Sequence, residues 1–227
     1  MKKIITFLLL FVALSVQAQT QDVTKFLGIP VDGSKEEMIE KLKSKGFVYD
    51  RYNDAFSGEF NGYDVYILIH TNRNKVWRIS VTDKNGCDEK QIKNRFNILL
   101  DQFSRNKKYL ALVANEIPAD EDISYEMLVN KKEYGATYMQ APDDLTPIRR
   151  KEFEKLLASA KEKKTVDYLI GDFKTPEERL AENMSLMEIY ESMIKKKVWF
   201  TIDRYKGDYY IFIYYDNENN MADGEDL

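Results

Sequence analysis

The chain has 227 residues, with 34 Lys and Arg against 38 Asp and Glu, for a net charge of −4. That balance, with no basic stripe, argues against nucleic acid as a partner. An apolar fraction of 44% with 15 Tyr and 12 Phe argues against a disordered chain. The lone Cys87 rules out an internal disulfide, so the fold must hold by packing.

The first residues read as a secretory signal. Lys2 and Lys3 precede an apolar run from Ile4 to Val16, and Val16-Gln17-Ala18 supplies a small residue at a cleavage position. The run is too short for a spanning helix, which needs about 20 residues. No cysteine precedes Cys87, so no lipidated cysteine can follow the cleavage site. The expectation is a signal peptide over 1–18 and a mature chain from Gln19 that is periplasmic or secreted and carries no membrane anchor. Loss of Lys2 and Lys3 takes the net charge from −4 to about −6.

A first helix is announced by Ser34 and Glu37, a capping box in which each side chain satisfies the other's backbone amide. Met38, Ile39 and Leu42 share its inner face and Gly46 ends it. Phe56 to Phe60 alternates as a strand, Asn61-Gly62 is a hairpin turn, and Tyr63 to His70 returns with Val65, Ile67 and Ile69 on one side. Lys75 to Thr82 adds a third strand, completing a meander. A second helix starts near Asp88, with Ile92, Phe96, Leu99, Leu100 and Phe103 forming its apolar stripe, placed to cover the meander. Further on, 120–134 predicts a short helix, Thr137 to Gln140 a strand, and Ile148 to Lys163 a charged amphipathic helix. Thr175-Pro176-Glu177-Glu178 is a second capping box opening a helix to about Lys195, so 148–195 reads as an inserted helical hairpin. A terminal hairpin runs from Val198 to Arg204 and Tyr209 to Asp216 around Lys206-Gly207-Asp208. The tail 217–227 is acidic and reads as coil. Val76-Trp77 and Val198-Trp199 echo each other at strand openings, which fits two diverged helix-plus-meander units. The fold class is therefore α+β, an antiparallel sheet packed by helices, with a single domain over 19–216.

Phe26-Leu27-Gly28-Ile29-Pro30-Val31-Asp32-Gly33-Ser34, Phe56-Ser57-Gly58-Glu59-Phe60-Asn61-Gly62-Tyr63 and the C-terminal Tyr214-Tyr215-Asp216-Asn217 followed by Ala222 to Leu227 resemble small exported proteins of the gut-commensal Bacteroides type. The resemblance implies export and an α+β fold, and no activity. Helix followed by antiparallel strands in tandem is also similar to the β-lactamase-inhibitor-like repeat, although the charged helical hairpin has no place in a minimal repeat of that kind. Neither resemblance assigns a functional residue.

Chemistry is sparse. His70 is the sole histidine, and no second metal ligand sits at a recognised spacing. A Cys87–His70 nucleophile pair has no activating context. Among the acids, Asp54, Glu59, Asp203 and Asp208 are the ones beside strands that a two-carboxylate hydrolase of surface polysaccharide could use. Asp216, Glu218 and Asp223 offer an irregular calcium set, but Met221 and Leu227 break the EF-hand pattern. No catalytic residue and no cofactor is assigned. The aromatics of the last hairpin are the candidate binding patch: Trp199, Tyr205, Tyr209, Tyr210, Phe212, Tyr214 and Tyr215, stiff side chains with polar tips suited to an envelope protein or a carbohydrate. The reading favours a non-enzymatic binding module over the hydrolase, with a protein inhibitor as a third option.

Overall fold

The computed structural model describes residues 22–142, 145–161 and 190–222. The expected signal peptide, the Thr175–Glu178 capping box and Asp223 lie outside the described residues.

A two-stranded hairpin, β1 (Lys25–Phe26) and β2 (Ile29–Pro30), leads into helix α1 (Lys35–Ser44). Its capping box is formed as the sequence predicts: the Glu37 amide donates to Ser34 Oγ at 3.2 Å and the Ser34 amide to Glu37 Oε2 at 3.1 Å. Met38 and Leu42 are buried, and Gly46 takes φ +93° where the helix stops. Strands β3 (Val48–Asp50), β4 (Ala55–Phe60), β5 (Tyr63–Asn72) and β6 (Lys75–Asp83) follow. Asn61 and Gly62 sit at φ +54° and +79°, the two-residue turn that their side chains permit. Gly58 points toward the helices, where an added Cβ would lie 2.6 Å from Cδ1 of Phe47; its missing side chain lets that ring lie flat on β4.

Helix α2 (Glu89–Arg105) opens with a second capping box between Asp88 and Gln91. All five residues of its predicted stripe are buried, together with Arg95. Next come β7 (Tyr109–Val113), a short α3 (Ile123–Leu128), β8 (Gly135–Gln140), α4 (Pro147–Lys161), β9 (Lys196–Tyr205) and β10 (Asp208–Asn217). The helix expected over 120–134 is thus confined to one and a half turns after its cap, Asp122. The tail is ordered further than a coil: Asn217 ends β10 fully buried, donating to the Val31 carbonyl at 2.9 Å, and Asn220 donates to Asp32 and Val76.

The eight strands from β3 on form one antiparallel sheet in the order β3-β4-β5-β6-β10-β9-β8-β7. Each half starts with a helix and ends with a strand, β6 or β10, and these two strands meet at the centre, with Phe212 opposite Thr82 and Asp216 opposite Arg78. Helices α1 and α2 cover one face. The core between them and the sheet holds Phe26, Phe96, Phe103, Tyr138 and Phe200 among others. Among the described residues, the opposite face is packed at the β7–β8 end, where Leu110 and Met139 meet Phe153 of α4 and Met193. Of the expected hairpin over 148–195, α4 and a helical stretch at 190–194 are described, and 162–189 lie outside the described residues. No helix among the described residues is long and apolar enough to cross a membrane.

Candidate functional site

Strand alternation assigns each aromatic of the last hairpin to a face. Tyr209, Ile211, Ile213 and Tyr215 point toward the helices and are buried. Tyr210, Phe212 and Tyr214 point the other way and are half-buried, as is Trp199 opposite Tyr214. Tyr205 closes β9 at 62% exposure on that same outer side. The seven-residue patch is therefore corrected to five. Tyr209 and Tyr215 leave it because the odd-numbered side chains of β10 belong to the core. Tyr215 packs edge-on against Phe26, with ring centroids 4.9 Å apart, and burial followed by the neighbouring Tyr109 holds its phenol well above the ordinary range.

Pairing register extends the outer side into cross-sheet rows. Ser57, Tyr66, Thr82, Phe212 and Thr201 follow one another across five strands. Leu68, Ser80, Tyr214, Trp199 and Thr137 make the next row. Trp199 and Tyr214 stack at 4.1 Å. Beside them Arg78 forms a bidentate pair with Asp216 at 2.6 and 2.8 Å, Trp199 Nε1 donates to Asp216 Oδ2 at 2.9 Å, and the guanidinium lies 4.4 Å from the Trp77 ring and 4.8 Å from Tyr214. The Arg78 and Asp216 charges on this face are thus paired with each other. After Tyr205, Tyr66 at 40% and Leu68 at 37% exposure are its most open large apolar groups. Sequence reasoning passed over these two, although the inward placement of Val65, Ile67 and Ile69 already turned Tyr66 and Leu68 outward.

The reactive candidates do not converge. His70 faces outward beside Arg78, with Nε2 2.7 Å from Ser80 Oγ. Cys87 bridges Tyr209 at the far end of β10, whereas His70 sits level with Asp216. At about 3.3 Å per residue, the seven steps from Tyr209 to Asp216 separate them by roughly 23 Å. Burial, then Asp83 and Asp88, push the Cys87 thiol up, the reverse of nucleophile activation. Of the four carboxylates, Asp54 is bound by Lys35 and Tyr49, Glu59 stands alone of the four in a cleft on the helix side, and Asp203 and Asp208 are exposed at the β9–β10 tip. The calcium set is undone as well: Asp216 is held by Arg78 and Glu218 by Lys197 at 2.6 Å. Among the described residues no group of His, Cys, Asp or Glu could hold a metal ion.

His70 gives a pH prediction. Burial first, then the Arg78 charge, lower its pKa below the ordinary 6.5. The unfolded chain therefore binds the proton more readily, and the stability this confers is present above pH 6.5 and lost as pH falls through that value toward the folded pKa. Replacing His70 with Gln, which keeps a partner for Ser80, should shrink the drop in thermal midpoint between pH 7 and pH 5. Equal drops in both proteins would refute it.

The helix side carries a cleft of about 670 Å³ between the two halves. Phe47 and Phe60 of the first half and Leu99 and Phe103 of the second line it, with Lys45 and Lys108 among its cations. It draws on positions from Asp22 to Tyr215 that no local motif links. No protein-family model, curated protein or solved structure matches the chain.

Proposed function

We propose that this chain is an exported, unanchored module of the cell envelope that works by binding, and that its partner docks on the open face of the sheet. One observation carries the reading. Across the four adjacent strands β5, β6, β10 and β9, the face opposite α1 and α2 presents the contiguous stack of Phe212, Tyr214 and Trp199, with Tyr66 and Leu68 beyond Thr82 and Ser80. A contiguous apolar area marks an interaction site where scattered apolar residues do not. Asp216, beside the stacked rings, is held by Arg78, so covering that part of the face leaves its charge matched. A broad surface of that kind suits a protein partner, with aromatic anchors and a hydroxyl-rich surround. The export part of the reading rests on the n-region, apolar run and Ala18 at the start of the chain.

Photo-crosslinking amino acids placed at Tyr66, Leu68 and Phe212, with Lys41 and Lys90 of the helices as controls, test this in the producing cell. Discrete adducts from the first three positions and none from the controls are expected, on a protein whose intact mass begins at Gln19. An adduct that resists protease and stains as glycan would replace the protein partner by a carbohydrate. Equal crosslinking from both faces, or none from the open one, would sink the docking surface, and retention of residues 1–18 would sink export.

A further inference from the structure

We infer that the cleft between the two halves binds a single-chain anionic amphiphile, its hydrocarbon chain against Phe47, Phe60, Leu99 and Phe103 and its head group at Lys45 and Lys108. This site lies across the sheet from the docking face and stands independently of it.

The first ground is shape and lining. At about 670 Å³ the cleft falls within the range of small-molecule sites, roughly 300–1,000 Å³. Of its apolar lining, Phe47 and Phe60 come from the first half and Leu99 and Phe103 from the second, so both halves build it. Two contacts hold the walls in register: Asn61 donates to Gln102 Oε1 at 2.8 Å, and Gln140 exchanges hydrogen bonds with the backbone of Lys25 at 2.7 and 2.6 Å. At the mouth, Leu27 is held at φ +51° in the β1–β2 turn with 42% of its surface exposed. A leucine rarely adopts that backbone, and this one leaves an apolar side chain at the entrance.

The second ground is charge. Lys25, Lys45, Lys108 and Lys196 line the cleft against only Asp22 and Glu59, in a chain whose net charge is −4. Lys196 is buried and its ammonium is held by Asp22, which cancels that pair. Lys45 and Lys108 are exposed and make no salt bridge among the described residues. Two exposed ammonium groups beside one cleft attract an anion most strongly at low salt, where screening is weak. Apolar lining with cations beside it matches a carboxylate or phosphate head on an acyl chain, and disfavours a cationic or wholly polar ligand.

Titration calorimetry of the purified chain with octanoate, decanoate and dodecanoate below their micelle concentrations tests this, with dodecyltrimethylammonium as the cationic control. One site is expected, with affinity rising about fourfold per added methylene. The double change Lys45→Glu and Lys108→Glu should weaken dodecanoate about tenfold or more at low salt, and the difference should shrink as salt is added. Gln102→Trp on the cleft wall should abolish binding, whereas Gln102→Ala, which loses the same Asn61 contact but adds no bulk, should keep it, and Lys41→Glu, an exposed charge reversal outside the cleft lining, should leave affinity unchanged. Absence of dodecanoate binding, equal binding of the ammonium amphiphile, or an unchanged affinity after charge reversal would each overturn the assignment.

Discussion

Arg95→Ala is expected to destabilise the protein by about 3–5 kcal/mol, because it leaves Asp83 charged, buried and unpaired. Both side chains are under 8% exposed. Arg95 reaches from α2 to β6 with a bidentate grip, Nε on Asp83 Oδ2 at 2.7 Å and Nη2 on Oδ1, and its guanidinium lies 3.3 Å from the centre of the Tyr63 ring. Asp83 has a second task. The pairing of β6 with β10 begins at Thr82 and Phe212, and just beyond it the Ile211 amide donates to the Asp83 carboxylate at 3.3 Å. The ion pair therefore closes the central seam between the two halves where their ladder ends. For a domain of this size the loss corresponds to a fall in thermal midpoint of roughly 10 °C. Urea denaturation of Arg95→Ala and of the double variant Arg95→Met, Asp83→Leu separates the causes. The double variant should lose less than the single one, since removing both charges removes the desolvation penalty. A cost below about 1 kcal/mol for Arg95→Ala would mean that the pair is not buried as the structure places it.

The elements legible in the sequence are those whose signal is local. Ser34 with Glu37, and Asp88 with Gln91, carry their helix starts within four residues, and Asn61-Gly62 carries its turn in two. Val65, Ile67 and Ile69 alternate because β5 has the core on one side only. Tyr109–Val113 escaped because it has apolar neighbours on both sides: Tyr109 and Ala111 touch the main core, Leu110 and Leu112 the smaller one, so no alternation remains. Val48–Asp50 escaped for the opposite reason, being a three-residue edge strand with Val48 68% exposed. The Val-Trp echo pointed to the wrong pair of strands. Trp77 lies in β6, the last strand of its half, and Trp199 in β9, whereas the strand that answers β6 across the seam is β10. The two tryptophans are nonetheless brought together around Arg78, a tertiary outcome that neither local sequence encodes. The same limit applies to the candidate site: one face of β10 could be read by counting in twos, but which face the helices cover is decided by α1 and α2.

That decision makes the sharpest mutational contrast. Phe200 and Phe212 sit in paired strands one register step apart, Phe200 opposite Ile213 and Phe212 opposite Thr201, yet on opposite faces. Phe200 is fully buried among Phe96, Phe103 and Tyr138, with ring centroids 5.1 to 6.1 Å away. Its replacement by alanine removes the shared centre of that group, and the rings around it are fixed by α2 and β8, so the void cannot collapse fully. The expected cost is about 3–5 kcal/mol. Phe212→Ala, on the open face, loses its neighbour contact with Tyr214 at 6.4 Å and leaves no closed cavity, so about 1 kcal/mol or less is expected. Paired denaturation curves check both values. Similar large costs would mean that the outer face is also core, and the docking proposal would fall with it. A large cost at Phe200 beside a small one at Phe212 would show aromatic area on the outer face that folding does not require, which is what a surface kept for binding should display.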